Sequence, residues 1–276
     1  EMLSGDWSSD VCSSDLQPSR LGEVALFPAT AGPRVLGRGD AGPDESEARA
    51  GFVQQRPGAN HAAAALSGSK LSRRQAVVRA GSRGLQIERI GRCPMLLRGR
   101  EVDACELVPG EVLSFHRELL LLCTRRPAVL PPAASARDRD FAFGEADGTG
   151  LIGESPAAWE LREQLAFAAL RELHVLVLGE SGSGKELAAH TIHALSRRRA
   201  MPLVARNAAT LPPGILDAEL FGNVRDYPNP GMRERKGLIG EADGATLFLD
   251  EIGELPEELQ SHLLRVLDGG GQYHRL

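Results

Sequence analysis

An octapeptide near the middle of the chain, GESGSGKE at 179–186, has residue types and spacing suited to holding a phosphate. It fits the pattern G-x-x-x-x-G-K, with a glutamate where Ser or Thr usually ligates magnesium. Its glycines let the backbone curl so that successive N–H groups point inward, and its lysine adds positive charge for the β- and γ-phosphates. The alternative, a chance glycine turn, is disfavoured because an apolar run precedes the loop and a helical pattern follows it. We therefore predict an ATP and Mg2+ site at Gly179, Glu180, Ser181, Gly182, Ser183, Gly184, Lys185 and Glu186.

Glu186 itself receives no catalytic role, because a carboxylate beside a triphosphate is repelled unless it points away or toward the metal. A second acidic group is needed for the metal and the attacking water, and ATLFLDE at 245–251 supplies it. The apolar run predicts a strand that delivers Asp250 and Glu251 to the carboxyl end of a sheet, where ligands of open α/β sheets bind. We expect Asp250 to hold magnesium through water and Glu251 to polarise the nucleophilic water. The alternative is a solvated helix N-cap.

The elements around these motifs alternate between helical and strand patterns from residue 151 onward. Apolar residues recur at helical spacing after Ser155, the predicted N-cap, and the run HVLVLG at 174–179 predicts a strand. A helix after the glycine loop, a short strand PLVAR at 202–206 and a helix from about 212 precede the strand TLFLD at 246–250. This alternation is typical of an α/β fold with a parallel sheet flanked by helices.

The N-terminal half has a different pattern. Short β-type runs separated by glycines predict an all-β sandwich over 23–126. A stretch rich in Pro, Ala and charges predicts a linker over 127–150, followed by the α/β domain at 151–276. The segment GDWSSDVCSSDL within residues 1–22 resembles a translated sequencing adapter, so we predict that 1–22 is adapter-derived or disordered and exclude it from the fold.

Bulk composition narrows the class of protein. A net charge of −5 gives no overall basic footprint, so nucleic-acid binding would need a local argument. Four cysteines without paired metal spacing favour reduced thiols in the cytosol over a disulfide framework. Neither a secretion signal nor an apolar run of the ~20 residues that a membrane span needs is present in the sequence, so we expect a cytoplasmic location without membrane contact.

The motifs of the α/β region together resemble a known family. The segments that carry the resemblance are LIGESP, VLVLGESGSGKELAAHTIHALS, NAATLPPGILDAELFG and EADGATLFLDEIGELPEELQSHLLRVL. They look like the AAA+ domain of bacterial enhancer-binding proteins, the activators of sigma-54 RNA polymerase. The resemblance implies that glutamate is normal at Glu186 and that Asn207 contacts Glu251 and couples the nucleotide state to a remodelling loop. On the residues alone, Asn207 could instead be a helix N-cap.

The same resemblance implies a homo-oligomer, a hexameric ring in the full-length protein, with RNA polymerase or a sigma factor as a partner. The family continues beyond the segment present here into arginine fingers, a lid and usually a helix-turn-helix. We therefore expect a C-terminally truncated AAA+ domain that binds ATP, hydrolyses it poorly, and would contact DNA only through a further C-terminal domain.

The remodelling loop departs from the family sequence. Where the family has the GAFTGA tip that touches sigma-54, residues 226–231 read DYPNPG. Neither the Phe nor the Thr of that tip is present, whereas both flanks match. Pro228 and Pro230 each fix φ and remove an N–H donor, which predicts a stiffer tip with Tyr227 as its only aromatic residue.

The β-rich region resembles a forkhead-associated (FHA) domain, which reads phosphothreonine peptides. The resemblance rests on VLGRGD at 35–40 and LSRRQAVVR at 71–79, and it implies phosphate contacts by Arg38, Ser72 and Arg73. Gln75 stands where the family has a structural His, and Cys93-Pro94 replaces an Asn-Gly pair that holds the ligand backbone. A phosphothreonine protein is thus an expected partner, with weak sequence selectivity.

Two functions follow from this sequence. The first is a signal-gated ATP-dependent transcriptional regulator, in which an FHA-like domain senses a phosphoprotein and the altered loop fails to engage sigma-54. The second is a non-catalytic scaffold that binds phosphopeptides and nucleotides. A P-loop enzyme acting on a small substrate is disfavoured, since no added substrate motif is present.

Overall fold

A computed structural model of the chain describes residues 7–11, 20–40, 47–133, 140–210, 216–226 and 230–268, with backbone only at 7–11. The chain divides into two compact units, Glu1–Leu161 and Arg162–Leu276. The first unit is built from antiparallel strands, and the second combines helices with a parallel strand pair. The predicted combination of an all-β N-terminal sandwich with an α/β region is therefore confirmed.

The first unit places its strands in two sheets, one ordered β5-β4-β2-β1-β12-β11-β8-β9 and the other β10-β7-β6-β3. The strands are β1 Trp7–Val11, β2 Glu23–Phe27, β3 Arg34–Leu36, β4 Phe52–Arg56, β5 Ala59–Ala62, β6 Ala76–Ala80, β7 Leu85–Arg89, β8 Met95–Leu97, β9 Arg100–Glu101, β10 Ala104–Leu107, β11 Val112–Phe115 and β12 Leu119–Arg125. Alternate residues along a strand face opposite sides of a sheet. In β12 this places Leu119, Leu121 and Cys123 in the core while their neighbours are less buried.

Strand β1 corrects the expectation that residues 1–22 stand outside the fold. Trp7–Val11 lies between β2 and β12 and pairs antiparallel with both, five residue pairs on each side. A backbone strand fills a gap between two sheet edges whatever its side chains are, since the ladder uses N–H and C=O groups alone. The amino-acid composition of residues 1–22 was therefore not a sufficient reason to exclude this segment from the sheet.

The start of the segment predicted as a linker is packed against the sandwich in the structure. Leu130 is buried, and its carbonyl accepts a hydrogen bond of 2.9 Å from the amide of Gly58. Gln55, on β4, donates from its side-chain amide to the carbonyls of Pro127 and Ala128 at 3.1 and 2.9 Å. Residues 127–130 thus pack on the sandwich, because buried polar groups of β4 need these carbonyls as partners.

The remaining elements follow the predicted order except at residues 174–179. They are α1 Pro156–Ala169, α2 Lys185–Leu195, β13 Leu203–Asn207, α3 Leu216–Phe221, α4 Gly237–Glu241, β14 Thr246–Asp250 and α5 Glu257–Asp268, with 3₁₀ turns at Ala208–Thr210 and Ile252–Glu254. The Ser155 hydroxyl accepts a 3.1 Å bond from the amide of Ala158, which confirms Ser155 as the N-cap of α1. A second apolar core joins the short helices and the 3₁₀ turns to α5 through Leu216, Leu220, Phe221, Leu238, Leu255, Leu259 and Leu263.

The predicted strand at 174–179 is not formed. Its residues are largely exposed, Leu176 at 69% and Leu178 at 83%. A strand requires a hydrogen-bonded neighbour, and within the described residues β13 and β14 pair only with each other. An apolar run indicates that a segment tends to be buried. It does not indicate whether a neighbouring strand is available to pair with that segment.

No helix within the described ranges is long and apolar enough to cross a membrane.

Candidate functional site

The glycine loop turns sharply into the first residue of α2. Gly182 and Gly184 have φ angles of 77° and 88°, values that residues with a Cβ rarely adopt. The Lys185 ammonium donates to the loop carbonyls of Gly179 and Glu180 at 3.1 and 2.9 Å. The lysine therefore lies across the loop, where its charge would meet an anion that the loop amides and the N-terminus of α2 hold.

Glu186 points away from this loop along the surface of α2. Its carboxylate lies 3.8 Å from the imidazole Nε2 of His190, one helical turn further on, and its side chain is exposed. That Glu186 has no catalytic role stays a prediction.

The acidic pair and Asn207 meet at the carboxyl ends of the two parallel strands. Asn207 is the register partner of Asp250, and Glu251 follows directly. The Asp250 carboxylate accepts a 3.0 Å bond from the amide of Glu251, and the Asn207 side-chain oxygen accepts a 2.9 Å bond from the amide of Ala209. Both of the weighed roles of Asn207 are therefore compatible with its position, because it caps the following 3₁₀ turn and also adjoins the acidic pair.

Glu251 has an unusual backbone for a residue with a side chain, with φ 52° and ψ 41°. Such a left-handed conformation in a non-glycine residue is uncommon and often accompanies functional sites. It turns the chain out of β14 immediately after the strand, which leaves the Glu251 side chain exposed.

The P-loop helix contacts the acidic strand at the other end of each element. The His193 Nδ1 lies 2.9 Å from the Thr246 hydroxyl, and Arg198 donates to the carbonyl of Ala245 at 2.8 Å. Within the described residues, no hydrogen bond or ion pair joins Lys185 to Asp250 or Glu251. The structure thus brings Asn207, Asp250 and Glu251 together, and α2 links the P-loop to the strand that carries the acidic pair.

The remodelling loop rises from a closed base. Asn223 and Arg235 exchange backbone hydrogen bonds of 3.1 and 3.0 Å, and Asn223 is fully buried. A Cβ on Gly222 would come within 2.4 Å of the Arg235 carbonyl, and one on Gly237 within 2.2 Å of the Gly222 nitrogen. Only glycine permits two backbones to pass this closely, so the base of the loop is fixed by backbone contact.

Toward the tip, Asp226 has φ 64°, and its carboxylate accepts a 2.8 Å bond from the amide of Gly231. This hydrogen bond joins the two ends of the segment 226–231. The predicted tip residues Tyr227, Pro228 and Asn229 lie outside the described residues, whereas Pro230 is described and exposed.

In the sandwich, the predicted phosphate ligands come from two loops that touch each other. The amide of Arg38 donates to the Ser72 carbonyl at 3.0 Å. A Cβ on Gly37 would lie 1.9 Å from the Arg73 carbonyl, so this approach also requires glycine. Arg38 and Ser72 are half-buried and Arg73 is exposed. The loops therefore bring Arg38, Ser72 and Arg73 to one end of the sandwich.

Gln75 holds these loops to a third one. It is fully buried, and its side-chain oxygen accepts from the amides of Ser72 and Cys93 at 3.2 and 3.3 Å, while its nitrogen donates to the Cys93 carbonyl at 2.8 Å. The amide of Arg92 donates to the Ser72 hydroxyl oxygen at 3.0 Å. Glutamine thus connects the loops as both donor and acceptor, which the sequence pattern alone did not reveal.

Sequence reasoning also missed Arg49. Its guanidinium donates to the carbonyls of Arg38, Gly39 and Arg73 at 3.1, 2.9 and 3.0 Å. The residue has no motif spacing that could have indicated this role. It adds positive charge behind the candidate phosphate contacts and fixes the carbonyls that would otherwise face an anion.

The glycine loop, the helix that starts at its lysine and the acidic strand have the order of elements of a P-loop α/β fold. More narrowly, residues 151–276 match the family described as "Sigma-54 interaction domain". The resemblance of this region to sigma-54 activators is therefore confirmed.

Individual proteins and solved structures are also similar to parts of this chain. The chain is 50% identical over 118 residues to the transcriptional regulator VasH of Vibrio cholerae, covering 43% of this chain and 22% of that protein. It is similar to the crystal structure of NtrX from Brucella abortus in complex with ADP, with 39% identity, a TM-score of 0.41, and coverage of 46% and 26% of the two chains. It is also similar to the FHA domain of CT664 from Chlamydia trachomatis, with 14% identity, a TM-score of 0.31 and coverage of 44% and 99%. The chain spans between about a fifth and a third of the length of the curated relatives it matches.

Proposed function

We propose that the protein is an ATP-binding, signal-responsive transcriptional regulator similar to sigma-54 activators. The observation that carries this proposal is the intact P-loop at the start of α2, within a segment that matches the sigma-54 interaction domain. The FHA-like sandwich would be the sensory input, and the loop at 224–234 would be the output. A cytoplasmic hexameric ring that meets RNA polymerase or a sigma factor would be the working assembly.

Element lengths support ATP–Mg2+ binding between the P-loop and the acidic pair. Helix α2 has 11 residues, about 16 Å at 1.5 Å per residue, and β14 has 5, about 16 Å at 3.3 Å per residue. The last turn of α2 contacts the first residue of β14, so antiparallel packing would bring Lys185 level with Asp250. In this arrangement Lys185 would contact the β- and γ-phosphates, Asp250 would hold Mg2+ through water, and Glu251 would orient the attacking water.

A calorimetric titration with ATP and Mg2+ tests the nucleotide site. We expect saturable binding to the unchanged chain and none to Lys185→Ala, since the loop would lose its only side-chain cation. The control is Lys70→Ala, which removes an exposed lysine from the other unit. Retained affinity of Lys185→Ala would overturn the assignment.

Phosphothreonine sensing is supported by the joined loops that carry Arg38, Ser72 and Arg73. Arg38 and the Ser72 hydroxyl would form charge-assisted hydrogen bonds to a phosphate dianion. We expect a phosphothreonine peptide library to yield ligands that Arg38→Ala abolishes and that Arg79→Ala, on the exposed face of β6, leaves unchanged. If Arg38→Ala does not change the affinity of these ligands, the sandwich has a packing role and does not sense phosphothreonine through Arg38.

The rewritten loop supports a regulator that does not activate sigma-54 polymerase. The base of the loop is intact, whereas the aromatic and hydroxyl groups of the GAFTGA tip are replaced. Open-complex formation at a sigma-54 promoter by the full-length protein tests this point, alongside a variant with 226–231 restored to GAFTGA. We expect activity only after restoration. Strong activity of the unchanged protein would contradict the proposal.

A further inference from the structure

The segment that precedes α1 is held to the sandwich by a buried glutamate. Glu154 is buried, and one of its carboxylate oxygens accepts bonds of 2.9 Å from Arg56 and 3.1 Å from the amide of Gly144. Its other oxygen accepts a 3.1 Å bond from the indole N–H of Trp159, on the first turn of α1. Three donors from three different places in the chain therefore converge on one carboxylate.

The cation in this network comes from the sandwich. Arg56 is the last residue of β4 and lies 98 positions before Glu154, with side-chain exposures of 17% and 2% for the pair. Its guanidinium also lies 4.4 Å from the ring centre of Phe141 and 5.9 Å from that of Trp159. Phe141 and Trp159 stack at 6.0 Å. The ion pair is thus covered by aromatic rings, where screening by water and salt is weak.

A second arginine of the sandwich approaches the same segment. Arg126, directly after β12, is buried and donates to Gln55 at 2.7 Å and to the backbone carbonyl of Glu154 at 3.4 Å. Both the side chain and the backbone of Glu154 are therefore bound by residues at the ends of sandwich strands.

Residues 151–161 lie within the match to the sigma-54 interaction domain, yet they are part of the same compact unit as the sandwich. Helix α1 begins in that unit and ends in the other. We propose that Glu154 is a coupling contact, through which the sandwich fixes the start of α1 so that a change at the ends of β4 and β12 alters the order of the ATPase domain's first helix. Glu154, Arg56 and Trp159 are positioning residues in this device.

Hydrogen exchange of the full chain, read by mass spectrometry, tests the coupling without ATP, phosphopeptide or polymerase. Its failure is therefore distinguishable from failure of the proposed function. Arg56→Ala and Glu154→Ala should each accelerate exchange of 151–161 at least about tenfold, because each variant removes the buried ion pair that holds this segment to β4. Peptides of β7 and β11 should keep their protection. Glu145→Ala, which removes an exposed carboxylate from the same segment, should leave 151–161 unchanged.

Unchanged exchange of 151–161 in Arg56→Ala would overturn the proposal. If that variant also loses protection in β7 and β11, the sandwich itself has opened, and Arg56→Lys decides instead. Lysine keeps the charge but loses the planar group above Phe141. Faster exchange confined to 151–161 in Arg56→Lys supports the coupling, and exchange equal to that of the unchanged chain overturns it.

Discussion

Gln75 shows how one side chain can hold three loops of the sandwich. It is fully buried, and its three hydrogen bonds join it to the amide of Ser72 and to both the amide and the carbonyl of Cys93. A histidine at this position, as in the FHA family, could not offer the same oxygen acceptor. The departure from the family sequence is therefore compatible with an intact loop cluster.

We expect Gln75→Leu to lower the free energy of unfolding of the sandwich by about 1–3 kcal/mol for each polar group left buried without a partner. The measurement is urea unfolding monitored by exchange of β7 peptides. Gln86→Leu is the control, since Gln86 is exposed on β7. Equal stability of the two variants would show that the Gln75 contacts contribute nothing.

Two thiols of the sandwich, buried Cys93 and half-buried Cys105, should respond to pH in one direction. Burial raises the pKa of Cys93 and of Cys105 above that of an ordinary thiol, with Glu118 adding to the shift at Cys93 and Glu111 at Cys105. The folded chain therefore keeps protons that the unfolded chain releases. The stability that these thiols contribute is complete below the pKa of an unfolded thiol. It falls as pH rises above that value and is lost as pH passes the raised pKa of the folded thiols.

We accordingly expect Cys93 to react slowly with Ellman's reagent at pH 8 in the folded chain and quickly in urea, because the thiolate is the reacting form. Mass spectrometry of the modified peptides assigns each rate to its cysteine. A fast reaction of Cys93 in the folded chain, equal to that in urea, would contradict its burial.

At the scale of elements, two glycines fix the base of the remodelling loop. Gly222 has φ 79°, and an added Cβ would meet the Arg235 carbonyl at 2.4 Å. We expect Gly222→Ala to cost about 1–3 kcal/mol of local backbone strain and to speed exchange of the Asn223 and Arg235 amides, which bond each other across the base.

Gly253→Ala is the matched control for this prediction, because a Cβ there meets nothing within 4 Å. Unchanged exchange of Asn223 and Arg235 in Gly222→Ala would show that the backbones can separate without consequence.

The sequence predicted an element correctly where nearby residues determine its structure. It failed where the structure depends on residues far away in the chain. The P-loop, the α1 N-cap at Ser155 and the strand at 246–250 followed from local chemistry and were found in place. The strand predicted at 174–179 depended on a partner strand, and the linker at 127–150 depended on acceptors needed by Gln55. Neither partner is visible in the segment itself. The same holds for Arg49 and Glu154, whose contacts join residues far apart in the chain.

At the scale of the whole molecule, β1 closes the larger sheet between β2 and β12. We expect a chain that begins at residue 20 to have a lower Tm and to self-associate, because removal of β1 exposes two unpaired strand edges. Thermal unfolding and size-exclusion chromatography measure both effects. An unchanged Tm in the shortened chain would show that the strand is dispensable and would restore the view of residues 1–22 as external to the fold.

The closed base at Asn223 and Arg235 has a consequence for how such proteins diversify. Backbone hydrogen bonds and close glycine contacts hold the base of the loop together. The residues beyond this base can therefore be exchanged without altering the helices that flank the loop. Under the proposed function, the residues that would hold nucleotide and the residues that would meet a target can therefore change separately.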